Sequence, residues 1–290
     1  MSNIKLSVAI VAYKNIDLLK LCLDSLDKFN DAREETEIII VDNSPDMSVF
    51  YYVKEHYKWV RIIKSDNNGF GAGNNVAVIN SMGEYLLFLN PDTIFVESIF
   101  RFIINIFESN NKVVMLGIKL LNRYRKSTYS FFWIDRFGLC AALSQKFLNK
   151  LDIFIPGKMH LHGACMFVRK KDFIEAGMFD EKIFMYEEEA DLTKRIMNIN
   201  KQSKIRYYRQ KRLIHLEGSS SPGIEGEIAT IKRLMITEQY YCKKYQIDFQ
   251  KRVKTRMRWI NCKYYLYKIL GKEKRSDISR IRELYMSYLN

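Results

Sequence analysis

The densest group of ionisable side chains is a run of four carboxylates within five residues, Glu187-Glu188-Glu189-Ala190-Asp191. At the start of a helix such a run is stabilised by the helix dipole and can be an ordinary solvated surface. If the carboxylates are buried together, they raise one another's pKa, which leaves one of them suited to accept a proton from a substrate hydroxyl group. The aromatic and apolar residues at 184–186 run directly into the cluster and favour the buried alternative.

A second candidate site is the tripeptide Asn90-Pro91-Asp92, which follows the apolar run Tyr85–Leu89. A carboxylate at a strand end can take one coordination position on Mg²⁺ or Mn²⁺ while diphosphate oxygens supply others. Such a metal stabilises the negative charge that develops on a departing nucleoside diphosphate. An ordinary Pro-Asp turn is the alternative, and the tripeptide alone favours the turn. His215, after an apolar pair in RLIHLEG, is either a structural hydrogen-bonding residue or a metal ligand.

Residues 67–75, NNGFGAGNN, form a turn rich in glycine and asparagine before an amphipathic stretch predicted from Asn74 to Ser81. Glycines at a helix start allow a pyrophosphate to approach closely and to accept hydrogen bonds from backbone N–H groups. A tight turn with a helix cap is the alternative. The motif is not the dinucleotide-binding fingerprint, because it does not follow the first predicted strand.

The elements that would position these residues are short, continuously apolar runs at Leu6–Tyr13, Glu37–Val41 and Tyr85–Leu89. Such runs are typical of fully buried parallel strands. Helical spacing between them predicts a doubly wound βαβ sheet over the first ~100 residues, and ligands bind beyond the carboxyl ends of such strands. The polar residues at those ends are Tyr13, Lys14 and Asn15, then Asp42, Asn43 and Ser44, then Asn90, Pro91 and Asp92.

Beyond residue 100 the pattern predicts a strand at Ala164–Val168, a helix at Lys171–Ala176 and a late strand with a loop at Tyr207–Glu217. The acidic cluster opens another helix, and the pattern is helical again from Ile228 onward. Residues 121–158 are aromatic and basic without a clean period, so no element is predicted there.

Composition limits the class of protein. The 290 residues are 48% hydrophobic and 28% charged, an ordinary globular balance. Five scattered cysteines with no C-x-x-C spacing argue against a disulfide framework or a structural zinc site, and suit a reducing cytoplasm. The N-terminal residues lack the features of a signal peptide, and no run of about 18 apolar residues predicts a transmembrane helix.

The net charge of +14 is concentrated at the C-terminus. Residues 231–290 carry 16 Lys and Arg against 5 Asp and Glu, whereas the remaining 230 residues are close to neutral. Aromatic residues are mixed with these cations, which suits contact with anionic lipid headgroups. A solvated helical cap on the catalytic part is the alternative, and one helix can serve both purposes with different faces.

Six segments in order resemble the large family 2 of inverting glycosyltransferases with a GT-A fold, and within it the rhamnosyltransferase-like branch of bacterial surface-polysaccharide synthesis. They span roughly residues 5–220 and are SVAIVAYKN at 7–15, IIIVDNSPD at 38–46, NNGFGAGNN at 67–75, LFLNPDT at 87–93, HGACMFVRKKDFIEAGMFDE at 162–181 and IFMYEEEADLTKRI at 183–196. The resemblance implies an α/β fold with a Rossmann-like, mainly parallel sheet flanked by helices and a basic helical C-terminal extension. It implies a catalytic domain at 1–225, with a nucleotide-sugar half at about 1–100 and an acceptor half at about 101–225, followed by the aromatic, basic region 226–290.

The resemblance also implies roles for individual residues. Glu189 takes the position of the catalytic base, usually Asp in the family, with Glu188 as the substitute. Asn90-Pro91-Asp92 takes the place of the family's usual Asp-x-Asp, which leaves Asp92 as the carboxylate ligand for Mg²⁺ or Mn²⁺, with His215 as a second ligand. The nucleotide sugar would contact Ala12, Tyr13, Asp42, Asn43, Asn68, Gly69, Asn74, Asn90 and Asp92, with Asp42 at the imide N–H of the base. The acceptor and sugar pocket would include His162, Gly163, Ala164 and Asp191.

The function implied is transfer of a sugar, with rhamnose from dTDP as the first expectation, to a hydroxyl of a polyprenyl-diphosphate-linked glycan in O-antigen or capsule assembly. Galactofuranosyl, galactosyl or glucosyl transfer from UDP is the alternative. The expected location is the cytoplasm, peripheral on the inner face of the cytoplasmic membrane, with residues 231–290 on the anionic surface. The sequence does not indicate an oligomeric state.

Three other classes are weighed against this interpretation. A nucleic-acid-binding protein would carry its positive charge on the face that holds the site, but here the charge is segregated at the C-terminus, so no nucleic-acid partner is expected. A nucleotidyltransferase would carry a basic glycine-rich loop after the first strand, where this chain has AYKNID. A non-catalytic homologue stays open, because NPD and the triple Glu both depart from the commonest patterns of the family.

Overall fold

The computed structural model describes residues 4–199, 201–216, 223–270 and 275–289. The strands are β1 (Leu6–Ala12), β2 (Thr36–Asp42), β3 (Val60–Lys64), β4 (Tyr85–Leu89), β5 (Thr93–Phe95), β6 (Val113–Leu121), β7 (Phe131–Trp133), β8 (Met159–Leu161), β9 (Cys165–Arg169) and β10 (Lys204–His215). The helices are α1 (Ile16–Phe29), α2 (Ser48–His56), α3 (Phe70–Ile79), α4 (Phe100–Ser109), α5 (Leu139–Lys150), α6 (Lys170–Glu175), α7 (Glu188–Ile199), α8 (Ile224–Lys244), α9 (Phe249–Ile269) and α10 (Arg275–Met286).

Eight strands form one sheet in the order β3-β2-β1-β4-β9-β6-β10-β5, and β7 pairs with β8 in a small second sheet. Strands β3, β2, β1 and β4 are parallel, as are β6 and β10. Strand β9 runs antiparallel between β4 and β6, and β5 pairs antiparallel with β10. The predicted mainly parallel sheet flanked by helices is confirmed.

Strand β4 explains why the central strands are continuously apolar. Its residues alternate between two cores: Leu87 and Leu89 lie in the core that includes α1, α2 and α4. Leu86 and Phe88 lie in the core that includes α3, α6 and α7. Because side chains of a strand point alternately to opposite faces and both faces are covered, every residue of β4 must be apolar. Burial of each such leucine side chain stabilises the folded state by roughly 1.5–3 kcal/mol.

The structure also contains elements that the sequence pattern did not predict. Strand β3 contains Arg61 and Lys64 and therefore lacks the apolar run of a central strand; it lies at the sheet edge. Strand β6 follows β9 in the sheet order although it precedes it in the chain. The unassigned segment 121–158 contains β7 and α5. Helix α3 begins at Phe70 rather than Asn74, directly after Gly69, whose φ of +103° ends the preceding turn.

The C-terminal helices form a third hydrophobic cluster of their own, which confirms the predicted helical extension. Its buried members are Ile231, Met235, Val253, Met257, Ile281 and Tyr285. Helix α8 begins at Ile224, close to the predicted boundary at 225, and the division into domains stays a prediction. Among the residues described, no helix is long and apolar enough to cross a bilayer.

Candidate active site

The ends of β2, β1 and β4 meet at one edge of the sheet because these three strands are parallel neighbours. A cleft of about 590 Å³ opens there beside β1, β2 and β3. Its lining residues are Tyr13, Asn43, Ser44, Pro45, Lys64, Ser65, Asp66 and Asn67. The exposed fraction of Tyr13 is 49%, so the face of its ring is accessible to a ligand.

Asp42 lies beneath this cleft rather than in its wall. The residue is fully buried, and its Oδ1 accepts the backbone N–H of Ser44 at 2.9 Å. Its Oδ2 accepts Lys64 Nζ at 3.2 Å. The predicted contact of Asp42 with a nucleobase therefore requires a ligand to share these oxygens or to displace Lys64, and the contact stays a prediction.

The glycine-rich turn is fastened to the loop that precedes the acidic cluster. The N–H of Phe70 donates to the carbonyl oxygen of Phe184 at 3.0 Å. A Cβ on Gly69 would lie 2.2 Å from that oxygen, so glycine is needed for the close approach as well as for the positive φ. Asn74 is fully buried, and its Nδ2 donates to the carbonyl of Phe70 at 3.0 Å. Asn68 is exposed at the same turn.

Asp92 and His215 are brought together although 123 positions separate them. Asp92 lies in the turn after β4, and His215 is the last residue of β10. His215 Nε2 lies 3.2 Å from Asp92 Oδ1, and the N–H of Leu216 donates to the carbonyl of Asp92 at 2.9 Å. Burial acts to raise the pKa of Asp92, but the hydrogen bond and charge of His215 outweigh it, and the pKa is lowered. The tripeptide forms a turn that also places Asp92 against His215, and metal binding by these two side chains stays a prediction.

His162 lies beside this pair. Its ring centroid is 5.1 Å from that of His215 in an edge-on arrangement. Burial and the neighbouring His215 and His160 lower the pKa of His162 to about 3, so its ring is neutral at physiological pH. Its Nδ1 accepts the backbone N–H of Ala164 at 3.0 Å, which assigns the proton to Nε2.

Residues 162–164 connect the two halves of the site. His162 faces His215, and the carbonyl of Ala164 accepts the N–H of Asn90 at 3.0 Å. Between them, the N–H of Gly163 donates to Glu189 Oε1 at 2.9 Å. A Cβ on Gly163 would lie 2.1 Å from that oxygen, so only glycine leaves room for the carboxylate. One segment of three consecutive residues therefore contacts both the predicted metal ligand His215 and the predicted base Glu189.

The acidic cluster opens α7 as a buried group and not as a solvated helix start. Glu188 is 4% exposed, and Glu189 is partly buried. Burial raises the pKa of Glu189 to about 7, although the N–H groups of its own residue and of Gly163 oppose the shift. Burial and the neighbouring Glu189 raise the pKa of Glu188 well above its usual range. A carboxylate with a pKa near 7 is suited to accept a proton at physiological pH.

The backbone before α7 is strained. Tyr186 and Glu187 both adopt positive φ, at 71° and 66°. Each such residue costs roughly 1–3 kcal/mol and persists only when its surroundings hold it. Part of this support comes from the C-terminal region: Thr237 Oγ1 donates to the carbonyl of Met185 at 2.9 Å, and Arg252 lies 3.5 Å from Glu187 Oε1.

The basic C-terminal helices supply further counter-charges to this region, a role that the sequence did not reveal. Arg252 is 3% exposed, and its Nε lies 3.2 Å from Glu238 Oε1. Its guanidinium carbon lies 3.6 Å from the centroid of the Phe137 ring. A buried cation among Glu187, Glu238 and an aromatic ring is compensated and not available to a membrane. The sequence shows the excess of basic residues after 231. It does not show which of these residues are buried and which are exposed.

Asp191 is fully buried and engaged by three side chains. Arg195 donates to Oδ2 at 2.8 Å, whereas Lys244 lies 2.5 Å from Oδ1 and the hydroxyl of Tyr245 donates to it at 2.8 Å. These contacts link α7 to α8. Direct contact of Asp191 with an acceptor, which its position in the motif implies, stays a prediction.

Comparisons with known proteins identify similar sequences. The family described as Glycosyl transferase family 2 matches residues 7–177. Rhamnosyltransferase WbbL from Escherichia coli (strain K12) is 26% identical over 205 residues, which cover 65% of this chain and 75% of that protein. Poly(ribitol-phosphate) beta-glucosyltransferase from Bacillus spizizenii (strain ATCC 23059 / NRRL B-14472 / W23) is 39% identical over 93 residues, 30% of this chain and 15% of that protein.

Two solved structures share the fold. The mannosyltransferase PcManGT from Pyrobaculum calidifontis, in complex with GDP-Man and Mn²⁺, has a TM-score of 0.58 at 13% identity. GalNAc-T7 with UDP, GalNAc and Mn²⁺ has a TM-score of 0.56 at 15% identity. The matches cover 82% and 79% of this chain but 64% and 48% of those chains. The expected GT-A fold is confirmed.

The contact between Gly163 and Glu189 predicts that the effects of substitutions at these two positions on the free energy of unfolding are not additive. We expect Gly163→Ala to lower the free energy of unfolding by about 1–3 kcal/mol, because the added methyl group overlaps the Glu189 carboxylate. In a Glu189→Ala background the same change should cost much less, since the overlapping atoms are gone. Urea unfolding of the four proteins of this double-mutant cycle measures the coupling. Gly157→Ala is the control: its φ of +76° makes the change costly, but with no neighbour within 4 Å the cost should be the same in both backgrounds. Equal costs of Gly163→Ala in both backgrounds would contradict the close contact.

The raised pKa of Glu189 predicts a pH-dependent effect of Glu189→Gln. The folded protein favours the protonated carboxyl, so this contribution to stability is present below pH ~4.5 and is lost as the pH rises through about 7. Gln stays neutral, so we expect the variant to gain stability relative to the wild type between pH 5 and pH 8, by on the order of 1–3 kcal/mol. Urea unfolding at both pH values measures the difference. Glu34→Gln, at an exposed position, should show no such change, and a constant difference for Glu189→Gln would refute the shift.

Proposed function

The chain belongs to glycosyl transferase family 2, a family of glycosyltransferase enzymes, and we propose that it transfers a sugar with inversion from a nucleotide-diphosphate donor to a glycan hydroxyl. The observation that carries the proposal is the segment 162–164. It holds the Glu189 carboxylate through Gly163 and lies against the Asp92–His215 pair through His162. The proposed proton acceptor, Glu189, and the proposed metal ligands, Asp92 and His215, thus lie beside the same short segment at the carboxyl edge of the sheet.

Donor binding is proposed at the edge formed by β2, β1 and β4. The cleft beside Tyr13 and Asn43 accommodates the nucleoside, with the Tyr13 ring against the base. Asn68, Gly69 and Asn74 then adjoin the diphosphate or the sugar. Asn43 and Asn74 are buried, and their Oδ1 atoms have no hydrogen-bond partner among the described residues. Buried amide oxygens without partners are costly, and donor hydroxyl or N–H groups would satisfy them.

A divalent cation is proposed at Asp92 and His215. Among the described residues, no three His, Cys, Asp or Glu side chains are grouped to hold a metal by themselves. One carboxylate and one imidazole 3.2 Å apart fit a cation whose remaining ligands are diphosphate oxygens and water. The donor set therefore fits Mg²⁺ or Mn²⁺ bound together with the donor. When bound there, the cation would offset the charge of the leaving diphosphate. The two similar structures contain Mn²⁺, which supports the use of a divalent cation.

The proposed mechanism is a single in-line displacement. Glu189 accepts the proton of the acceptor hydroxyl as its oxygen forms a bond to the anomeric carbon and the bond to the diphosphate oxygen breaks. The N–H of Gly163 fixes the direction of the carboxylate, and burial keeps its proton affinity high. Glu188 is the alternative base.

The identity of the sugar and of the acceptor is proposed from the relatives. The match to a rhamnosyltransferase over 65% of this chain supports rhamnose as the sugar, and we propose dTDP as its carrier. The shorter match to a glucosyltransferase supports glucose as a second candidate. UDP-linked galactose and galactofuranose remain further candidates. The proposed acceptor is a polyprenyl-diphosphate-linked glycan of O-antigen or capsule assembly.

We further propose that the enzyme acts in the cytoplasm on the inner face of the membrane, with the C-terminal region on the anionic surface. Arg252 and Lys244 are engaged within the protein, but Lys251, Lys254 and Arg258 of α9 are exposed. These remaining cations can attract anionic lipid at roughly 1 kcal/mol each near the surface.

Release of nucleotide from a panel of nucleotide sugars with Mn²⁺ or Mg²⁺ tests the proposed reaction. We expect dTDP-rhamnose with a polyprenyl-diphosphate-linked glycan to give the highest turnover, and chelation of the cation to abolish it. Glu189→Gln should lower kcat at least 100-fold and leave donor binding within about threefold, because general bases contribute about 10²–10⁴ in rate. Asp92→Asn should weaken donor binding in the presence of metal and have little effect in its absence.

The control is Glu34→Gln, whose exposed side chain lies outside the site and should leave turnover unchanged. Full turnover of Glu189→Gln together with loss in Glu188→Gln would reassign the base to Glu188. Turnover that survives both substitutions would refute a carboxylate base in α7, and no release from any donor would refute the proposed function.

Sedimentation with anionic vesicles tests the proposed role of the C-terminal cations. Deleting residues 231–290 is unsuitable, because it also removes Thr237, Lys244 and Arg252 from the site. We expect K254E/R258E to lower vesicle binding at least tenfold, since two attractive charges become repulsive. K20E/K28E on α1 introduces the same charge change elsewhere and should have a smaller effect. Equal losses in both variants would show a general charge effect instead of docking through α9.

A further inference from the structure

Helix α5 is amphipathic, but unlike a core helix it buries polar side chains and exposes apolar ones. Its buried residues are the polar Gln145 and Asn149. Leu139, Leu143 and Phe147 are 45%, 59% and 60% exposed. A spacing of four residues places these three side chains on one stripe of the helix surface. An amphipathic helix normally buries such a stripe, so this exposed arrangement indicates an interaction surface.

The buried amides explain why the helix is held with its apolar stripe outward. Asn149 Oδ1 accepts the N–H of Ser130 at 2.7 Å, and Asn149 Nδ2 donates to the carbonyl of Phe131 at 3.1 Å. Gln145 Oε1 accepts the N–H of Trp133 at 2.8 Å. These bonds satisfy backbone groups of Ser130 and of β7, which among the described strands pairs with β8 alone. Turning the stripe inward would break all of them and leave buried polar groups without partners.

The stripe continues past the helix and is surrounded by cations. Leu151 and Ile153 are each 44% exposed. Lys146, Lys150 and Lys158 are exposed in the same segment. Asp152 is the one acidic residue between 137 and 158, and it is occupied by Lys119 at 2.6 Å and by the Tyr207 hydroxyl at 2.9 Å. The surface therefore combines exposed apolar side chains with uncompensated positive charge.

We propose that α5 and residues 151–153 insert into the headgroup region of an anionic lipid bilayer, with the apolar stripe below the headgroups and the lysines at phosphate level. The charge pattern favours lipid over a second copy of this chain. In a two-fold symmetric contact the same surface meets itself, which would bring the lysines of the two copies together. Anionic lipid supplies both an apolar layer and the opposite charge.

The position of α5 connects this surface to the acceptor side of the site. Strand β7, whose backbone α5 holds, carries Phe132, and the Phe132 ring lies 5.4 Å from that of His162. Docking of α5 therefore places the membrane surface on the side of His162, from which a lipid-linked acceptor would come. This functional consequence rests on the proposed function, whereas the docking itself does not. Ala142 of α5 and Trp259 of α9 line the same cavity of about 320 Å³, so the two proposed lipid-contacting helices are neighbours.

Co-sedimentation of the full chain with vesicles tests the proposal. The vesicles are phosphatidylcholine with about 30% phosphatidylglycerol, compared with phosphatidylcholine alone. We expect L143Q/F147Q to lower the partition coefficient on anionic vesicles at least tenfold, because the stripe loses its apolar character without any change in charge. L21Q/I79Q, at two other exposed apolar positions, is the matched control and should change it less than twofold. We expect K146E/K150E to lower binding to the anionic vesicles and to leave the weak binding to phosphatidylcholine unchanged.

Two results would overturn the proposal. The first is vesicle binding by L143Q/F147Q equal to that of the wild type, with both proteins folded by circular dichroism. The second is that the wild type is a dimer in sedimentation velocity, whereas L143Q/F147Q is a monomer that binds vesicles as well as the wild type does. That result would show that the stripe contacts a second copy of the chain. Nucleotide release without vesicles is measured in parallel. Docking without turnover of any donor would refute only the proposed function, and turnover with unchanged vesicle binding in L143Q/F147Q would refute only the docking.

Discussion

The close contact between Gly163 and Glu189 is the constraint on which the candidate site depends. The carboxylate occupies the space that any other side chain at 163 would fill, and it accepts the backbone N–H there. The same segment lies against His215 through His162. The proposed base on α7 and the proposed metal ligands, in the turn after β4 and at the end of β10, therefore lie against the same backbone segment. Catalysis by positioning requires this kind of fixed relation between groups that are distant in the chain.

The buried acidic cluster creates a second requirement, which is compensation of its charge. Carboxylates taken out of water are costly unless cations or hydrogen bonds accompany them. Helices α8 and α9 supply Lys244 to Asp191 and Arg252 to Glu187. The C-terminal region is thus part of the candidate site as well as a proposed membrane contact. Its positive charge is divided between cations that pair with the cluster, of which Arg252 is buried, and exposed cations that remain available to anionic partners.

The segment between β6 and β8 shows how one element can serve both the fold and a partner. Helix α5 satisfies the backbone of β7 with Gln145 and Asn149, which are polar side chains at helical spacing. The hydrophobic side chains of the helix are then left exposed. Hydrogen bonds from these buried amides hold the helix in place, so its exposed apolar side chains remain available to a partner.

The sequence by itself determined the features that depend on local pattern. These are the apolar strands β1, β2 and β4, the polar residues at their ends, the turn at 67–75 and the helix opened by the acidic cluster. Tertiary structure alone decided the antiparallel direction of β9, because an apolar run of residues is the same in either direction. It also decided the edge strand β3, the positive φ at Tyr186 and the partner of Arg252. Each depends on contacts between residues far apart in the chain, and such contacts leave no periodic signal in a single sequence.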